Sequence, residues 1–446
     1  MESTENQAQN LPRSVSRRSI MFVAGLAGGA SLLAACAQQA AAPTAAPTSA
    51  PAPTEPPKPT SPPAPSPTPQ AVASPTLAPA AKPTPEVAQP LTAQRLIDEP
   101  IPEKFFVPMG SNAEMRFENM ADRGYTVPNS LFFVRDHEAS VAVNPKLWKL
   151  SIEGDGVEKP LTLTYDDLLK LPSKTITRYV ECAGNGRSFF QTFLKKPAEG
   201  GQWHLGAWGV AEWTGVPLSE LLNRAGIKKT ATEVMPIGLD KPHVRRPMPV
   251  SKAMEEDTML VYMMNGDILP IDHGFPARVL VPGWVGVANI KWVGSIQVTE
   301  KHNAVDWNTN LYIMIGPDYK PEPPAKGPPV NEQVLKSALA LPWPATLKAG
   351  SQTVKGYAWS PQGKIAKVEV SVDEGKTFAP AKLIDPNIER AGVRWEFTFD
   401  AKPGMTSITP RATDEKGNTQ ADISQQKWNQ QGYLFGAMVP HPVTVA

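Results

Sequence analysis

One segment reads Tyr179-Val-Glu-Cys-Ala-Gly-Asn-Gly-Arg-Ser188 and joins a β-type run, residues 175–180, to a glycine-rich turn. The end of a strand is a place where a side chain can be presented rigidly to a cavity. Cys182 stands there, without the nearby carboxylate and histidine that a cysteine protease would use. The residues alone leave two interpretations of Cys182 open: a small buried core residue or a functional thiol.

The composition limits the classes of protein that this chain can form. The 446 residues include two cysteines, and 44 Lys and Arg balance 43 Asp and Glu. Two cysteines exclude a disulfide framework and a site with four thiolate ligands. A nearly neutral chain lacks the field that holds a phosphate backbone, so we expect no nucleic-acid partner. The sequence also has no phosphate-binding Gly-Lys loop, nucleophile elbow or HExxH zinc motif.

The N-terminal residues predict export. Arg17 and Arg18 precede an uncharged run, residues 20–35, that is short for a membrane span and suits a signal peptide. The paired arginines resemble the Tat signal, which exports folded proteins; an ordinary secretion signal is the alternative. Leu33-Ala-Ala-Cys36 resembles a bacterial lipobox, in which Cys36 would be lipidated; a chance cysteine is the alternative. We therefore interpret residues 1–36 as a Tat-type lipoprotein signal peptide, which predicts a lipid anchor on the outer face of the cytoplasmic membrane, in the periplasm or at the cell surface.

Composition divides the rest of the chain into three segments. Of the 49 prolines, 17 lie in residues 41–90, so residues 37–94 predict a disordered Pro-rich tether of polyproline II character. Residues 95–325 mix strands and helices without a regular βαβ rhythm, which indicates an α+β domain. After a second Pro- and Gly-rich linker, residues 326–446 show short alternating strands between turns. This pattern is typical of an all-β sandwich of the immunoglobulin type.

Local patterns place individual elements. Thr164 and Asp167 resemble a capping box that follows a short strand, and Asn265-Gly266 indicates a hairpin turn. The capping box predicts a helix start at residues 166–170, and the segment Val216–Gly226 predicts a helix with Pro217 near its start and Gly226 just past its end. Alternating apolar residues predict strands over residues 259–264, 291–299, 352–359, 366–372, 394–399 and 406–413.

Motifs along the chain connect the cysteine segment with a known family. Cys182-Ala-Gly-Asn-Gly-Arg187, Phe132-Phe-Val-Arg135-Asp-His137 and the run of residues 262–292 occur in the order found in the sulfite oxidase family, which they resemble. Val354-Lys-Gly-Tyr-Ala-Trp and Lys427-Trp-Asn resemble the dimerisation domain of that family. The resemblance covers about residue 128 to the C-terminus. It implies a sulfite-oxidase-type molybdopterin-binding domain followed by a domain that forms a homodimer.

The resemblance also implies roles for individual residues. Cys182 matches the thiolate ligand of molybdenum, and a soft sulfur ligand suits that metal. One molybdopterin per chain is expected, held by His137, Asp240, His273, Arg278 and Lys291. The catalytic pocket is expected to contain Arg135, Arg187, Trp203 and Tyr312. Surface charges beside strands are the alternative for Arg278 and Lys291, and a structural turn is the alternative for His273.

Three positions depart from the pattern of the vertebrate and plant members. Gly186 stands where these members have arginine, Asp136 replaces the usual asparagine, and Gln431 lies where an arginine reaches the anion pocket. Each change makes the net charge of the region expected to bind sulfite less positive. The sequence also has no heme-binding segment such as CxxCH, so the resemblance implies an external electron carrier, such as cytochrome c or the quinone pool.

The resemblance leaves several functions open. The first is an exported enzyme that oxidises sulfite to sulfate. Two rivals keep the cofactor: a reductase of sulfoxides such as methionine sulfoxide, and a sulfur-compound dehydrogenase within a larger complex. A binding lipoprotein without activity is the alternative from another class. Intact Cys182, His273, Arg278 and Lys291 argue against that last alternative.

Overall fold

The computed structural model describes residues 88–90 and 96–446. The predicted signal peptide, with Cys36, and nearly all of the predicted tether lie outside these residues. The segment 96–446 falls within one compact unit. In the part of the chain that is described, no helix has the length and apolar character needed to cross a lipid bilayer.

The N-terminal part, before residue 326, consists mainly of strands with short helices between them. Its strands are β1 (Ala88–Pro90), β2 (Phe106–Met109), β3 (Asn112–Met115), β4 (Val134–Arg135), β5 (Val141–Val143), β6 (Lys149–Glu153), β7 (Leu161–Thr164), β8 (Lys174–Glu181), β9 (Trp208–Pro217), β10 (Glu233–Gly238), β11 (Met248–Pro249), β12 (Met259–Met264), β13 (Asp267–Ile268), β14 (Arg278–Leu280) and β15 (Val293–Thr299). Its α-helices are α1 (Tyr165–Leu169), α2 (Ser188–Leu194), α3 (Leu218–Arg224), α4 (Val250–Ala253) and α5 (Asp306–Thr309). Short 3-10 helices span Phe117–Met120, Asn129–Leu131, Ile271–His273 and Gly286–Ala288.

The C-terminal part is built from strands and one 3-10 helix, Ile423–Gln425, within the described residues. Its strands are β16 (Lys336–Leu339), β17 (Ala345–Leu347), β18 (Gly350–Trp359), β19 (Ile365–Ser371), β20 (Ala379–Pro380), β21 (Lys382–Ile388), β22 (Gly392–Ala401), β23 (Ser407–Asp414) and β24 (His441–Val445). They form two sheets, ordered β16-β18-β22-β21 and β17-β24-β23-β19-β20. The immunoglobulin topology and the boundary at residues 325 and 326 stay predictions.

Two sheets of the N-terminal part carry the structure around the cysteine segment. One has the order β11-β10-β15-β6-β7, in which β15 and β6 are parallel. The other has the order β13-β12-β9-β8, and β14 also pairs with β12. Because β8 ends at Glu181 and β14 begins at Arg278, both strands deliver predicted site residues from their ends.

Most of the local predictions agree with the structure. The capping box of Thr164 and Asp167 is present at the start of α1. Asn265 and Gly266 both have positive φ in the turn between β12 and β13, as the Asn-Gly pair predicts. The predicted helix begins at Leu218, after Pro217, and Gly226 follows its end with φ +66°. The predicted C-terminal strands correspond to β18, β19, β22 and β23, whereas β16, β17, β20, β21 and β24 were not expected.

The hydrophobic core explains why the two parts of the chain pack together. One cluster of buried residues combines Trp208 of β9 with Tyr357 and Trp359 of β18. The rings of Trp208 and Trp359 stack with centroids 4.7 Å apart. Large aromatic side chains bury much apolar area, so this contact stabilises the N-terminal part against the C-terminal part.

Candidate active site

A cavity of about 670 Å³, including its opening to solvent, lies beside the end of β8. Eight of the ten site residues predicted within the described part of the chain line it: Arg135, His137, Cys182, Asp240, His273, Arg278, Lys291 and Tyr312. The cavity therefore joins segments that are more than 170 residues apart in the sequence. Arg187 and Trp203 are not among its lining residues.

Cys182 occupies the turn that follows β8. Its N–H donates to the Ala207 carbonyl over 2.9 Å, and its own carbonyl accepts the Asn185 N–H over 3.0 Å. The residue is 5% exposed, and its thiol is free. A thiol that is anchored by its backbone and faces a cavity can serve as a ligand for a soft metal. The functional interpretation of Cys182 therefore gains support from its position, although the residue also contacts the core.

Three residues form a polar group on one side of the cavity. The Tyr312 hydroxyl lies 2.9 Å from Nε2 of His137 and accepts a longer hydrogen bond, 3.4 Å, from Nη2 of Arg135. Burial and the charges of Arg135 and Lys291 lower the pKa of His137 to about 2, so its imidazole is neutral at neutral pH. Burial raises the pKa of Tyr312, which keeps the phenol protonated. Tyr312 can therefore donate its proton to His137 or to a bound molecule.

The C-terminal part supports Tyr312 from behind. The ring of Tyr433 stacks on the ring of Tyr312 with centroids 5.1 Å apart and planes 5° apart. Oε1 of Gln431 accepts the N–H of Tyr312 over 3.1 Å. Tyr312 itself has φ +53°, a backbone conformation that costs energy for a non-glycine residue. These contacts hold it in that conformation, and the sequence reasoning did not find Tyr433.

A buried ion pair lies in the wall of the cavity. Nζ of Lys291 donates to Oδ1 of Asp136 and, over 2.7 Å, to the carbonyl of Asp272. Burial raises the pKa of Asp136 and lowers that of Lys291, while the contact between them opposes both shifts. The Ser140 hydroxyl lies 2.8 Å from Oδ2 of Asp136. Asp136, which stands where asparagine is usual in the family, thus balances the positive charge of Lys291 within the protein.

Arg278 presents an incompletely satisfied cation to the same cavity. Its Nη1 and Nη2 donate to the carbonyls of His273 and Asn289, both over 3.1 Å. Its buried Nε has no hydrogen-bond partner among the described residues. Burial lowers the pKa of Arg278 to about 10, so the guanidinium stays charged at neutral pH. A buried donor without a partner is costly, and an anionic group bound in the cavity would relieve that cost.

His273 and Asp240 complete the lining on this side. His273 ends the 3-10 helix Ile271–His273, and burial lowers its pKa to about 3, which leaves the ring neutral. Asp240 accepts the Val244 N–H over 3.2 Å, and burial raises its pKa to about 6. Arg278 and His273 are buried, and the side chain of Lys291 is only 12% exposed, which excludes the surface interpretation of the two cations.

Arg187 and Trp203 lie behind the cavity wall. Nε of Arg187 donates to the Gln431 carbonyl over 2.9 Å, and Nη1 donates to the Gly201 carbonyl over 2.8 Å. Its guanidinium also lies 5.3 Å from the ring centroid of Tyr433. Trp203 packs edge-on against Phe133, which lines the cavity. Their predicted place in the substrate pocket stays a prediction, and the observed contacts of Arg187 join two segments of backbone.

Two family models match separate segments of the chain. Residues 137–307 match the family described as oxidoreductase molybdopterin binding domain, and residues 329–438 match the Mo-co oxidoreductase dimerisation domain. Sulfite oxidase of Gallus gallus is 34% identical over 345 residues, which cover 73% of this chain and 74% of the chicken protein. The chain belongs to the sulfite oxidase family. Human mitochondrial sulfite oxidase is also 34% identical, and the match covers 73% of this chain and 63% of the human protein.

A solved structure shows the same fold. The sulfane dehydrogenase SoxCD from Paracoccus pantotrophus matches with a TM-score of 0.67 and 28% identity. The match covers 79% of this chain and 87% of that chain. The proteins that this chain resembles therefore have names that refer to different sulfur compounds.

The lining residues fit the cofactor of the sulfite oxidase family. Cys182 supplies one free thiol, and elsewhere in the described residues no group of three or more His, Cys, Asp and Glu side chains is arranged to hold a metal ion. The unpartnered N–H of Arg278 suits a phosphate oxygen, and the neutral rings of His137 and His273 suit polar edges of a pterin. The observed donors therefore match a group that has phosphate, polar ring edges and a site for one protein thiolate.

Gly186 shows why one departure from the family pattern is tolerated here. The residue has φ +94°, which strains any side chain other than glycine. A Cβ at this position would also lie 3.1 Å from Cβ of Phe435. An arginine would therefore require local rearrangement, so this chain cannot simply regain that cation.

Proposed function

We propose that the protein oxidises sulfite to sulfate at a molybdenum centre. The observation that carries the proposal is the meeting of Cys182, Arg135 and Tyr312 at one cavity with the cofactor-binding set. The matches to sulfite oxidases from chicken and human support it. In the balanced reaction, sulfite and water give sulfate, two protons and two electrons, with one new sulfur–oxygen bond.

The proposed cofactor site divides the work among the lining residues. When bound, the molybdenum cofactor supplies oxygen-atom transfer and accepts two electrons. Cys182 would hold the metal, whereas His137, Asp240, His273, Arg278 and Lys291 would hold the pterin and its phosphate. Arg278 is the strongest candidate for the phosphate, because its guanidinium is charged and has an unpartnered donor.

Arg135 and Tyr312 would bind the substrate. Among the cations that line the cavity, Arg135 donates a hydrogen bond to the Tyr312 hydroxyl, and it also donates to the Asp136 carbonyl. Its charge would attract an anion in a largely buried setting, where electrostatic interactions are stronger than in water. Tyr312 would donate its hydroxyl proton to an oxygen of the substrate, with His137 as its alternative acceptor. The stack on Tyr433 would hold the hydroxyl in place.

The remaining parts of the proposal concern the whole protein. We propose an exported homodimer, lipid-anchored through Cys36 and active outside the cytoplasmic membrane. The match of residues 329–438 to a dimerisation domain supports the homodimer. The electrons would pass to an external carrier such as cytochrome c, or to the quinone pool.

A second candidate is oxidation of a larger sulfur compound. Two observations favour it: the likeness to SoxCD, and the position of Arg187, which is committed to backbone carbonyls outside the cavity. Fewer cations in the pocket would favour a substrate with less negative charge than sulfite. A sulfoxide reductase with the same cofactor is the third candidate.

Steady-state assays on the purified holoenzyme separate these functions. We expect sulfite to reduce cytochrome c or ferricyanide, and we expect no oxidation of reduced viologen by methionine sulfoxide. The molybdenum content must be measured on the same preparation. No sulfite-dependent reduction at full molybdenum loading would defeat the proposal, and activity with a sulfane compound alone would favour the second candidate.

A further inference from the structure

A second buried ion pair lies directly behind Cys182. Nζ of Lys336, at the start of β16, lies 2.6 Å from Oε1 of Glu181, the residue before Cys182. The side chains of Lys336 and Glu181 are 2% and 0% exposed. The lysine comes from the C-terminal part and lies 155 residues away in the sequence. This pair takes no part in the proposed chemistry, because neither residue lines the cavity.

The pair is embedded in a closed network of hydrogen bonds. The Glu181 carboxylate also accepts Nδ2 of Asn185 over 2.8 Å and Nε1 of Trp359 over 2.9 Å. Lys336 also donates to the main-chain carbonyl of Asn185 over 2.8 Å. Gln333 donates to the main-chain carbonyl of Glu181 over 2.8 Å. Three residues of the C-terminal part thus contact the residues on either side of Cys182.

The network fixes the turn that carries the thiol. The N–H of Asn185 donates to the Cys182 carbonyl over 3.0 Å, and Oδ1 of Asn185 accepts the Ala207 N–H over 3.1 Å. On the other side, a Cβ on Gly286 would lie 2.9 Å from the Glu181 carbonyl oxygen and 3.4 Å from Cα of Cys182. The turn is therefore bonded at both ends and packed closely, so a change in the ion pair must reach the backbone of Cys182.

Stability alone does not explain such a pair. Burying two charges costs desolvation energy, and well-packed apolar residues of similar size often stabilise a protein as much or more. A metal ligand, in contrast, must be held within about 0.5 Å of its working position, and groups outside the ligand set usually provide that restraint. The network around Glu181 has the connections that such a restraint requires.

We propose that Lys336 is a positioning residue for Cys182. It acts through Glu181 and Asn185, so that the C-terminal part of the same chain sets the geometry of the thiol. This inference rests on the proposed function in one respect, which is that Cys182 binds the metal. Lys336 contacts neither substrate nor cofactor and is not a catalytic residue.

The test compares Lys336→Met with Lys252→Met. Lys252 is a matched control because it is also buried, pairs with Glu255 over 2.7 Å and donates to the Pro282 carbonyl over 2.9 Å. Hydrogen exchange is followed in the cofactor-free proteins over the peptide that contains residues 182–186. In Lys336→Met we expect exchange at the Asn185 N–H to accelerate by about tenfold or more, because its local structure opens more readily. In Lys252→Met we expect wild-type exchange in that peptide.

A spectroscopic measurement on the loaded proteins completes the test. We expect Lys336→Met to change the Mo(V) electron paramagnetic resonance spectrum and to lower kcat more than it raises KM for sulfite. Trp359→Phe, which removes one donor to Glu181, should change the spectrum in the same direction and by less. That variant also keeps the proposal testable where Lys336→Met does not fold. Wild-type exchange and an unchanged spectrum in Lys336→Met or, failing that, Trp359→Phe would overturn the proposal.

The outcomes separate this inference from the proposed function. Accelerated exchange and a changed Mo(V) spectrum in an enzyme that does not oxidise sulfite would defeat the proposed substrate and retain the positioning role. Sulfite oxidation by the wild type, together with wild-type exchange in Lys336→Met, would retain the proposed substrate and defeat the positioning role. Restoration of the wild-type spectrum by Lys336→Arg would support positioning by the retained cation.

Discussion

Two lysine–carboxylate pairs with little exposure to solvent lie close to the cysteine turn, and they differ in the groups that they contact. Lys291 and Asp136 line the cavity, next to Arg278, which has an unpartnered N–H. Lys336 and Glu181 lie outside the lining, and the carboxylate accepts three side-chain donors. Both pairs remove charge from water, so burial by itself does not distinguish them. What distinguishes them is access to the cavity and the presence of a donor that still needs a partner.

The difference separates binding from positioning. The cavity pair belongs to a set of residues whose polar groups a bound anion would complete. The pair behind the turn is complete within the protein, so a ligand would add nothing to it. We therefore expect substitutions in the first pair to affect cofactor content and substrate binding. Substitutions in the second pair should affect stability and the geometry of Cys182.

The largest effect is expected at Cys182, which lines the cavity and directly follows Glu181 of the second pair. Cys182→Ser should lower sulfite turnover by more than about 1,000-fold, well beyond the 10- to 100-fold losses that follow substitution of residues outside the ligand set. The midpoint of thermal unfolding of the cofactor-free protein should change little, because serine is similar in size. Cys36→Ser is the control, and it should keep full molybdenum content. Turnover near the wild-type rate in Cys182→Ser would contradict the assignment.

The next largest effect is expected on stability. Lys336→Met should lower the free energy of unfolding of the cofactor-free protein by about 3–5 kcal/mol, because it leaves a buried carboxylate without its cation. Denaturant titration measures the change. Lys382→Met, which breaks the exposed pair with Glu396, should leave the unfolding midpoint unchanged. Equal losses in the free energy of unfolding in Lys336→Met and Lys382→Met would contradict a special role for the buried pair.

A buried carboxylate without a lysine partner provides a pH-dependent contrast. Burial raises the pKa of Glu114 from 4.5 to about 7, against the hydrogen bonds from the Gly206 and His204 N–H groups. A raised pKa means that the folded state holds the proton more tightly than the unfolded state. Stability should therefore fall by about 3 kcal/mol as the pH rises from about 4.5 to 7, since one pKa unit corresponds to about 1.4 kcal/mol. Urea unfolding across this range should show the fall, and Glu114→Gln should reduce it; an unchanged slope in that variant would refute the prediction.

Removal of the cation in the cavity should affect the cofactor. Lys291→Met with Asp136→Asn removes both charges at once, so no buried charge is left unpaired. We expect the affinity for the cofactor to fall by about 10- to 100-fold, which would appear as a lower molybdenum content per chain. The corresponding double variant Lys336→Met with Glu181→Gln should retain more molybdenum. The reverse order of the two contents would argue against the separation of roles.

The smallest effect is expected from Asp136→Asn alone. The change restores the residue usual in the family and frees the charge of Lys291 at the cavity. An added positive charge near an anion in a partly buried site should lower KM for sulfite by about three- to tenfold. Asp122→Asn, in an exposed pair with Lys355, should leave KM unchanged. A rise of KM in Asp136→Asn would show that the Asp136 carboxylate is needed to hold Lys291 in place.

Local sequence patterns predicted the elements that depend on neighbouring residues. The capping box at Thr164 and the turn at Asn265-Gly266 arise from contacts within a few residues, and the β-type run before Cys182 predicted β8. The unexpected strands β16, β17, β20, β21 and β24 are mostly short or lack clear alternation. Their pairing depends on partners elsewhere in the sheet, which local patterns do not contain.

The candidate site was predicted through motifs rather than through geometry. The motifs identified eight residues that line one cavity, but they could not show that Arg187 is committed to the carbonyls of Gln431 and Gly201. Nor did they identify Tyr433, which stacks on Tyr312 from 121 residues further along the chain. A sequence motif gives the type of each residue but not the direction of its side chain. That direction decides which residues line the same cavity.

The amino-acid sequence by itself determined the family, the lone thiol at the end of a strand and the cationic residues around it. These features reside in the identity and order of residues, which folding does not change. Only the tertiary structure decided that Lys336 pairs with Glu181, that Tyr433 supports Tyr312 and that one buried pair faces the cavity while the other does not. Those contacts join segments more than 100 residues apart, and they form because buried charges and rings must find partners in space rather than along the chain.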